Sequence, residues 1–531
     1  MKLPNDVVKE FHVNQLRLFE PRAENVGAVV VSADVGLNPE DEEIRCLVDT
    51  PPEVGGPLNF RVEPTLPEQQ RTDLLNLLNE FSDVFRPGLG LTQLAVHRIE
   101  LSDDRPVVGP NYRIPQALQK PFEDEINRLL REGVLIECQS EYRSPVIPIR
   151  KPDGSLRIVQ NFKMLNEKTK DDLYPMADPN QIISNAAGRK WVSKLDLTQS
   201  YFQVGLAKED WHKTALSCFL GTMAWTRMCM GLKNSPRTMQ RMMQGLLKRT
   251  QDYASSMIDD IIVYSNSFDE HLDHIREILK RLRAANLTAS ITKSEFVMKN
   301  LTVLGWTLED GVIKPSQKHV ECILKIGAPT TKRGVREILG LISYHRALVP
   351  DFAGITCCLT ELLKKGEPDR NINWKPCHDQ ALERIKQILI SKPVLVPPIY
   401  DGRPFILMTD YAQNNHSVAG VLAQTDDFGV ERNISYFSRK MLPRERSYSV
   451  LEGEMLGILT GCLKFHDIIY GYKIIARTDH QSLQYLETLS RHNARVARWK
   501  IILSNYDIVT EYRKGTQHGN ADALSRIEMP D

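Results

Sequence analysis

No stretch of this sequence is apolar enough, for long enough, to cross a bilayer, and the opening MKLPNDVVKEF lacks the apolar core of a secretion signal. The expectation is a protein of the cytoplasm or nucleus with no membrane attachment. A charge bias is lacking too: 68 Lys and Arg stand against 67 Asp and Glu, a formal net charge of +1. No global basic field argues for a polyanionic partner, so any such case rests on local patches. The nine cysteines show no C-x-x-C spacing, only the adjacent pair Cys357 and Cys358. This suits a reducing interior and argues against a disulfide framework or a cysteine zinc site. No internal repeat or low-complexity tract stands out. What is present is an ordinary globular balance, 42% hydrophobic and 25% charged over 531 residues, long enough for several domains.

Residues 1–95 mix short apolar pieces with acidic and Pro-rich stretches such as NPEDEE and TPPEVGGP, and read as a linker or N-terminal extension. Within them CLVDTPPEV resembles an aspartic-protease loop. Pro51 replaces the glycine that the tight turn requires, which argues against that reading. Further on, Phe122, Ile126, Leu129 and Leu130 recur at helical spacing before Gly133, predicting a helix over 117–132. SPVIPIRKPDGSLRIVQNF holds two strand-like runs around Asp153-Gly154, a hairpin signal. VSKLDL and MIDDIIVY are further apolar strands, and VLGWTLEDGVIKP reads as another hairpin. Helices are expected near 332–348 and 351–364, then a Pro-bearing connector over 366–403. Beyond it, strands and a helix over 450–466 predict a separate α/β unit.

Two sets of carboxylates sit at or near strand ends. The first is Asp196 with the adjacent Asp259 and Asp260; the second is Asp410, Glu454, Asp479 and Asp522. Clustered carboxylates protonate in a low-dielectric site unless cations hold them ionised. Oxygen-only donor sets select hard ions such as magnesium or manganese, and two such ions suit phosphoryl transfer. Spacing alone does not bring Asp196 to Asp259, and a single aspartate at a strand end serves equally as a turn or helix cap.

These residues carry a resemblance. KLDLTQSYFQV, MIDDIIVYS, RKPDGSLRIVQNFKMLN, KTALSCFLGTMAWTRMCMGLKNSPRTMQRMM and VLGW follow one another as do the motifs of reverse transcriptases. FILMTDYAQNNHSVAGVLAQ, YSVLEGEMLGIL, RTDHQSL and ADALSR follow those of ribonucleases H. Residues 95–526 thus resemble the reverse transcriptase–RNase H region of a gypsy-type LTR retrotransposon Pol polyprotein. The fold implied is multidomain, α+β and α/β: a right-hand polymerase with fingers and palm (96–310) and thumb (311–365), a connection (366–403), an RNase H-like domain (404–526) and a short tail (527–531).

By this resemblance Asp196, Asp259 and Asp260 would hold two magnesium or manganese ions. Asp410, Glu454, Asp479 and Asp522 would hold two more. Lys151, Arg157, Tyr201, Met230, Gly231 and Lys233 would bind the incoming nucleotide. Leu304, Gly305 and Trp306 would form the primer grip. The implied partners are an RNA template, a DNA primer, dNTPs and RNA–DNA hybrid, with a homodimer left open and virus-like particles as the implied setting. SRHNARVARWK supplies a local basic face, Arg491, Arg495 and Arg498 with Lys500, for which a solvated helix face is the plainer alternative. Arg513 fills the family's position after the Tyr of the E-Y-R segment, so His518 is read as incidental.

The sequence departs from the family at Met257 (usually Tyr), Asn161 (usually Asp), Cys229-Met230 (commonly Pro-Phe) and Phe219-Leu220-Gly221-Thr222. No carboxylate is lost. An active polymerase with RNase H is therefore expected, as a segment of a polyprotein. The rival reading is a relic that binds nucleic acid without catalysis.

Overall fold

The computed structural model of the protein describes residues 60–151, 154–309, 311–391, 394–412, 417–478 and 494–512. The protease-like CLVDTPPEV lies outside them, as do Asp479, Arg491, Arg513, His518 and Asp522. The chain divides into two compact units. One holds residues up to Pro179 with Ser193–Val263 and Phe268–Phe296; the other holds Asn180–Val192, Tyr264–Ser267 and Val297 onward. Among the described residues no helix is long and apolar enough to cross a membrane.

In the first unit, β1 (Arg61–Val62) and α1 (Glu68–Glu80) come first. They are followed by α2 (Gln116–Arg131), with Phe122, Ile126 and Leu129 buried along one face. The predicted hairpin is present as β2 (Val146–Arg150) and β3 (Leu156–Gln160), antiparallel with Arg150 opposite Leu156. Then come β4 (Trp191–Asp196), α3 (Ser235–Leu246), β5 (Ala254–Met257), β6 (Asp260–Ser265), α4 (Phe268–Ala284) and β7 (Glu295–Met298). Strands β1, β7, β4, β6 and β5 form one sheet in that order. The apolar face of α4 includes His271, fully buried, whose Nε2 lies 2.7 Å from Ser193 Oγ; burial pushes this imidazole down to about 3 and keeps it neutral.

Residues 60–95 carry docked elements, as expected of this extension. Strand β1 pairs parallel with β7, and Phe60, Leu74, Leu77, Leu78, Phe81, Val84 and Phe85 are buried. Leu74, Leu77, Leu78 and Phe81 recur at helical spacing, so α1 has a local signal, whereas the two-residue β1 is satisfied only by its distant partner β7.

In the second unit β8 (Asn300–Val303), β9 (Trp306–Glu309) and β10 (Val312–Pro315) form an antiparallel sheet, which the expected boundary at 310/311 would cut. After it come α5 (Gln317–Leu324) and α6 (Lys332–Ser343). The expected connector contains a full helix, α7 (Pro376–Ile390); its proline stands at the first helical turn, where a missing N–H costs nothing. The second sheet is built from β11 (Phe405–Ala412), β12 (Ser417–Thr425), β13 (Glu431–Lys440), β14 (Lys473–Thr478) and β15 (Asp507–Tyr512). Its order is β13-β12-β11-β14-β15, antiparallel on the first side and parallel beyond β11. Helices α8 (Val450–Lys464) and α9 (Ala494–Leu503) belong to the same unit. Ile399 N–H donates to Gln424 Oε1 and Gln424 Nε2 donates back to Ile399 O, so the chain joins this sheet before residue 404.

Candidate active sites

The pairing of β5 with β6 places Met257 opposite Asp260, leaving Ile258 and Asp259 as a two-residue hairpin loop. Ile258 has φ +58°, a left-handed conformation that β-branched residues rarely adopt and that glycine usually supplies. A buried glutamine of α3 holds this tip. Ile258 N–H donates to Gln240 Oε1 (2.9 Å), and Gln240 Nε2 donates to Ser256 O (3.3 Å). Asp259 is fixed from the other side by Ser200, whose hydroxyl donates to its Oδ2 at 2.8 Å.

Strand β4 lies beside β6 and ends at Asp196. Burial raises the Asp196 carboxyl to about 6; Lys293, with Nζ 3.8 Å away, opposes the rise, and the charges of Asp260 and Asp259 add to it. Burial likewise raises Asp260, against the pull of Lys194, whose Nζ lies 3.1 Å from its Oδ1. Three mutually repelling carboxylates thus share one strand-end site with two lysines. Such a donor set, all hard oxygen, fits divalent cations, which would hold all three ionised. Tyr201 belongs to the same site: burial raises its phenol, and the charge of Asp259 adds to the rise.

In the second sheet, Asp410 of β11 is exposed and stands opposite Ala419, while Glu454 of α8 is buried. Three glycines bring helix and strand together. A Cβ on Gly453 would collide with the Tyr411 ring; one on Gly457 would lie 3.1 Å from Thr409 Oγ1; one on Gly461 would lie 2.8 Å from Leu407 Cδ1. Glycines every fourth residue therefore lie over alternate residues of β11, a close approach that other side chains block. The helix begins at Ser449, which forms a capping box with Glu452.

The other predicted residues divide. Gly231 has φ +93°, and Asn166 ties its loop down by donating to Gly231 O (2.8 Å) and accepting from Lys233 N–H (2.9 Å). Met230 is exposed. Lys233 does not present a free cation to a triphosphate, because its Nζ donates to Thr169 O and pairs with Asp171, both at 2.9 Å. Arg157, on β3, is exposed near the hairpin loop, and Lys151 is half-buried at the loop's start. Leu304 and Gly305 form the two-residue turn between β8 and β9, with Trp306 buried behind it.

On α9, Arg495 pairs with Glu452 (2.8 Å) and lies over the Tyr448 ring, so it fastens α9 to the start of α8 instead of forming an open basic face. Arg498 is exposed and Lys500 half-buried. Outside these sites, Cys358, Cys377 and His378 bring ligand atoms within 4.8 Å of one another, a proximity that spacing did not reveal. There His378 Nδ1 accepts the Lys375 N–H (2.8 Å), which leaves the ring proton on Nε2 and uses the remaining lone pair.

Comparison with known families agrees with this architecture. The model described as reverse transcriptase (RNA-dependent DNA polymerase) matches residues 149–308. The RNase H-like domain found in reverse transcriptase matches 401–506. The Drosophila melanogaster retrovirus-related Pol polyprotein from transposon 297 is 31% identical over 482 residues, covering 89% of this chain and 44% of that relative. The Pol polyprotein from transposon opus of the same organism is 32% identical over 513 residues, covering 92% and 51%. The chain belongs to the reverse transcriptase–RNase H family of retrotransposon Pol polyproteins.

It spans about half the length of these curated relatives. The fold is shared with a foamy viral protease-reverse transcriptase solved with dsDNA (TM-score 0.75, 23% identity, covering 85% of this chain and 95% of that one). Within this reverse transcriptase–RNase H chain, two of the departures, Asn161 and Met257, have local explanations. Asn161 accepts the Lys163 N–H through Oδ1 (2.9 Å), a turn that asparagine makes as well as aspartate. Met257 is buried and fills space beside the hairpin tip. Gln240, Ser200 and Lys194 join the site only through the fold. The available signal for Gln240 was a lone amide between Met239 and Met243 on an apolar helix face.

Proposed function

We propose that this chain copies RNA into DNA, as an RNA- and DNA-directed DNA polymerase, and cuts the RNA strand of RNA–DNA hybrids with its C-terminal unit. The observation carrying the reading is the meeting of Asp196 with Asp259 and Asp260 on adjacent strands, with burial and mutual repulsion raising Asp196 to about 6. Fingers and palm would occupy 96–310, followed by thumb, connection and RNase H-like parts, with residues 60–95 built into the first unit.

Divalent ions such as magnesium, two per site, would activate the attacking oxygen and neutralise charge on the leaving one when bound. The chain's own residues do the rest. Ser200 and Gln240 hold Asp259 and the hairpin tip in place. Lys194 holds Asp260. Tyr201, beside Asp259, would face the sugar of the incoming nucleotide and exclude a 2′-hydroxyl. Arg157 and Lys151 would take the triphosphate, Arg157 by bidentate contact. The primer 3′ hydroxyl then attacks the α-phosphate in line and pyrophosphate leaves. In the second site Asp410 and Glu454, with Asp479 and Asp522, would direct water onto the RNA phosphate.

Two assays on one preparation test this. Asp259→Asn abolishes primer extension and leaves hybrid cleavage intact, and Asp410→Asn does the reverse. Loss of both activities in either variant, or of neither, contradicts the assignment.

A further inference from the structure

The turn between β8 and β9 is held by His319 of α5 and by Tyr344 and His345, which follow the end of α6, residues that no motif singles out. The register Val303 opposite Trp306 makes Leu304 and Gly305 the whole loop, with φ +48° and +77°. Positive φ at both positions defines a type I′ turn, where Asn-Gly is favoured and leucine is strained. Strain of this kind persists only where the surroundings over-determine the conformation. Here they do. The Tyr344 hydroxyl donates to Leu304 O, and Ser316 N–H donates to Gly305 O at 3.1 Å. His319 of α5 presses on Gly305 so closely that a Cβ there would stand 2.8 Å from its Nδ1.

Behind the turn, Trp306 is packed edge-on against His345 (4.7 Å between centroids), which is fully buried. His345 Nε2 lies 3.3 Å from His319 Nδ1. His345 Nδ1 has no partner among the described residues, so the proton of its neutral ring belongs on Nε2, donating to His319. Burial pushes His345 down to about 3 and lowers His319, so both stay neutral at physiological pH. Burial raises the Tyr344 phenol, which keeps its hydroxyl a donor.

We propose that Tyr344, His345 and His319 form a clamp that fixes the Leu304–Gly305 turn, and through it act as positioning residues for the primer terminus. The second half rests on the polymerase reading above; the first does not. These three side chains set where the turn's backbone points, and none of them needs to touch nucleic acid. A misplacement of the primer hydroxyl by a fraction of an ångström slows the chemical step without altering nucleotide affinity.

Tyr344→Phe removes one hydroxyl and keeps the ring, and His319→Ala opens the space beside Gly305. Amide hydrogen exchange is measured on both, together with single-turnover primer extension over a range of dNTP concentration. Expected is exchange at least threefold faster at residues 304–306, unchanged in the first unit. The maximal extension rate falls about tenfold, with dNTP affinity within twofold of the native chain. Native exchange at 304–306 in both variants overturns the clamp. Faster exchange with an unchanged extension rate overturns the positioning role. A native chain that extends no primer overturns the polymerase reading, and the exchange result still decides the clamp.

Discussion

Ile258 occupies a backbone conformation that costs a β-branched residue on the order of 1–2 kcal/mol, and Gln240 is what holds it there. Gln240→Ala removes both side-chain bonds and leaves the Ile258 N–H without its acceptor. The expected loss is about 1 kcal/mol of stability, read by urea unfolding, because the half-buried Ile258 N–H loses its hydrogen bond and is only partly resolvated. A change below about 0.5 kcal/mol would mean the tip holds itself. Asp196 gives a second test. Its carboxyl rises from 3.8 to about 6 on folding, so the folded state binds the proton more tightly. The associated stability is present below about pH 4 and lost as pH rises through about 6, roughly 3 kcal/mol in metal-free protein. Asp196→Asn should flatten that fall in EDTA, and should also remove the stabilisation that magnesium gives the native chain at pH 7.5. Buried neutral histidines act in the opposite sense over this range, so the reading is the difference between the two chains: a native-minus-Asn stability difference that stays constant in EDTA from pH 4 to 7 would contradict the burial assigned to this group.

At the scale of elements, the packing of α8 on β11 depends on Gly453, Gly457 and Gly461. Gly453→Ala gains about 1 kcal/mol of helix propensity but drives a methyl into the buried Tyr411 ring. Overpacking costs about 1–3 kcal/mol, so the net effect is destabilising, and the thermal midpoint of the C-terminal unit should fall while that of the first unit holds. Equal stability would show that Tyr411 moves freely.

The sequence made β6 and α2 legible through apolar periodicity, but MIDDIIVY read locally as one strand, and the turn at Ile258 and Asp259 that splits it was implied only by the family resemblance. The sequence hid β1, two residues long and stable only beside β7. It hid α7 as well, where Pro376 and the flanking prolines mask a helical face. Arg495 was legible as a basic residue and not as a partner of Glu452 and Tyr448, since ion pairing across 43 positions leaves no local trace. Arg495→Ala should therefore lower stability by roughly 1 kcal/mol, with hybrid affinity unchanged at constant salt.

At the scale of the whole molecule, two carboxylate sites lie in separate compact units, each with its own fold-level reason for bringing acids together. In the first, adjacent strands converge on a hairpin tip; in the second, a glycine-lined helix face approaches a strand. The family match covers both units, and no carboxylate of either set is substituted. The central claim is that the first site polymerises DNA through Asp259. Its most direct test is extension of a labelled DNA primer on an RNA template with dNTPs and magnesium, native chain against Asp259→Asn. Expected are templated extension by the native chain and a loss of about a thousandfold in the variant, since a charge stabilising the transition state is removed. Equal extension by the two chains, or none by the native chain, would contradict it.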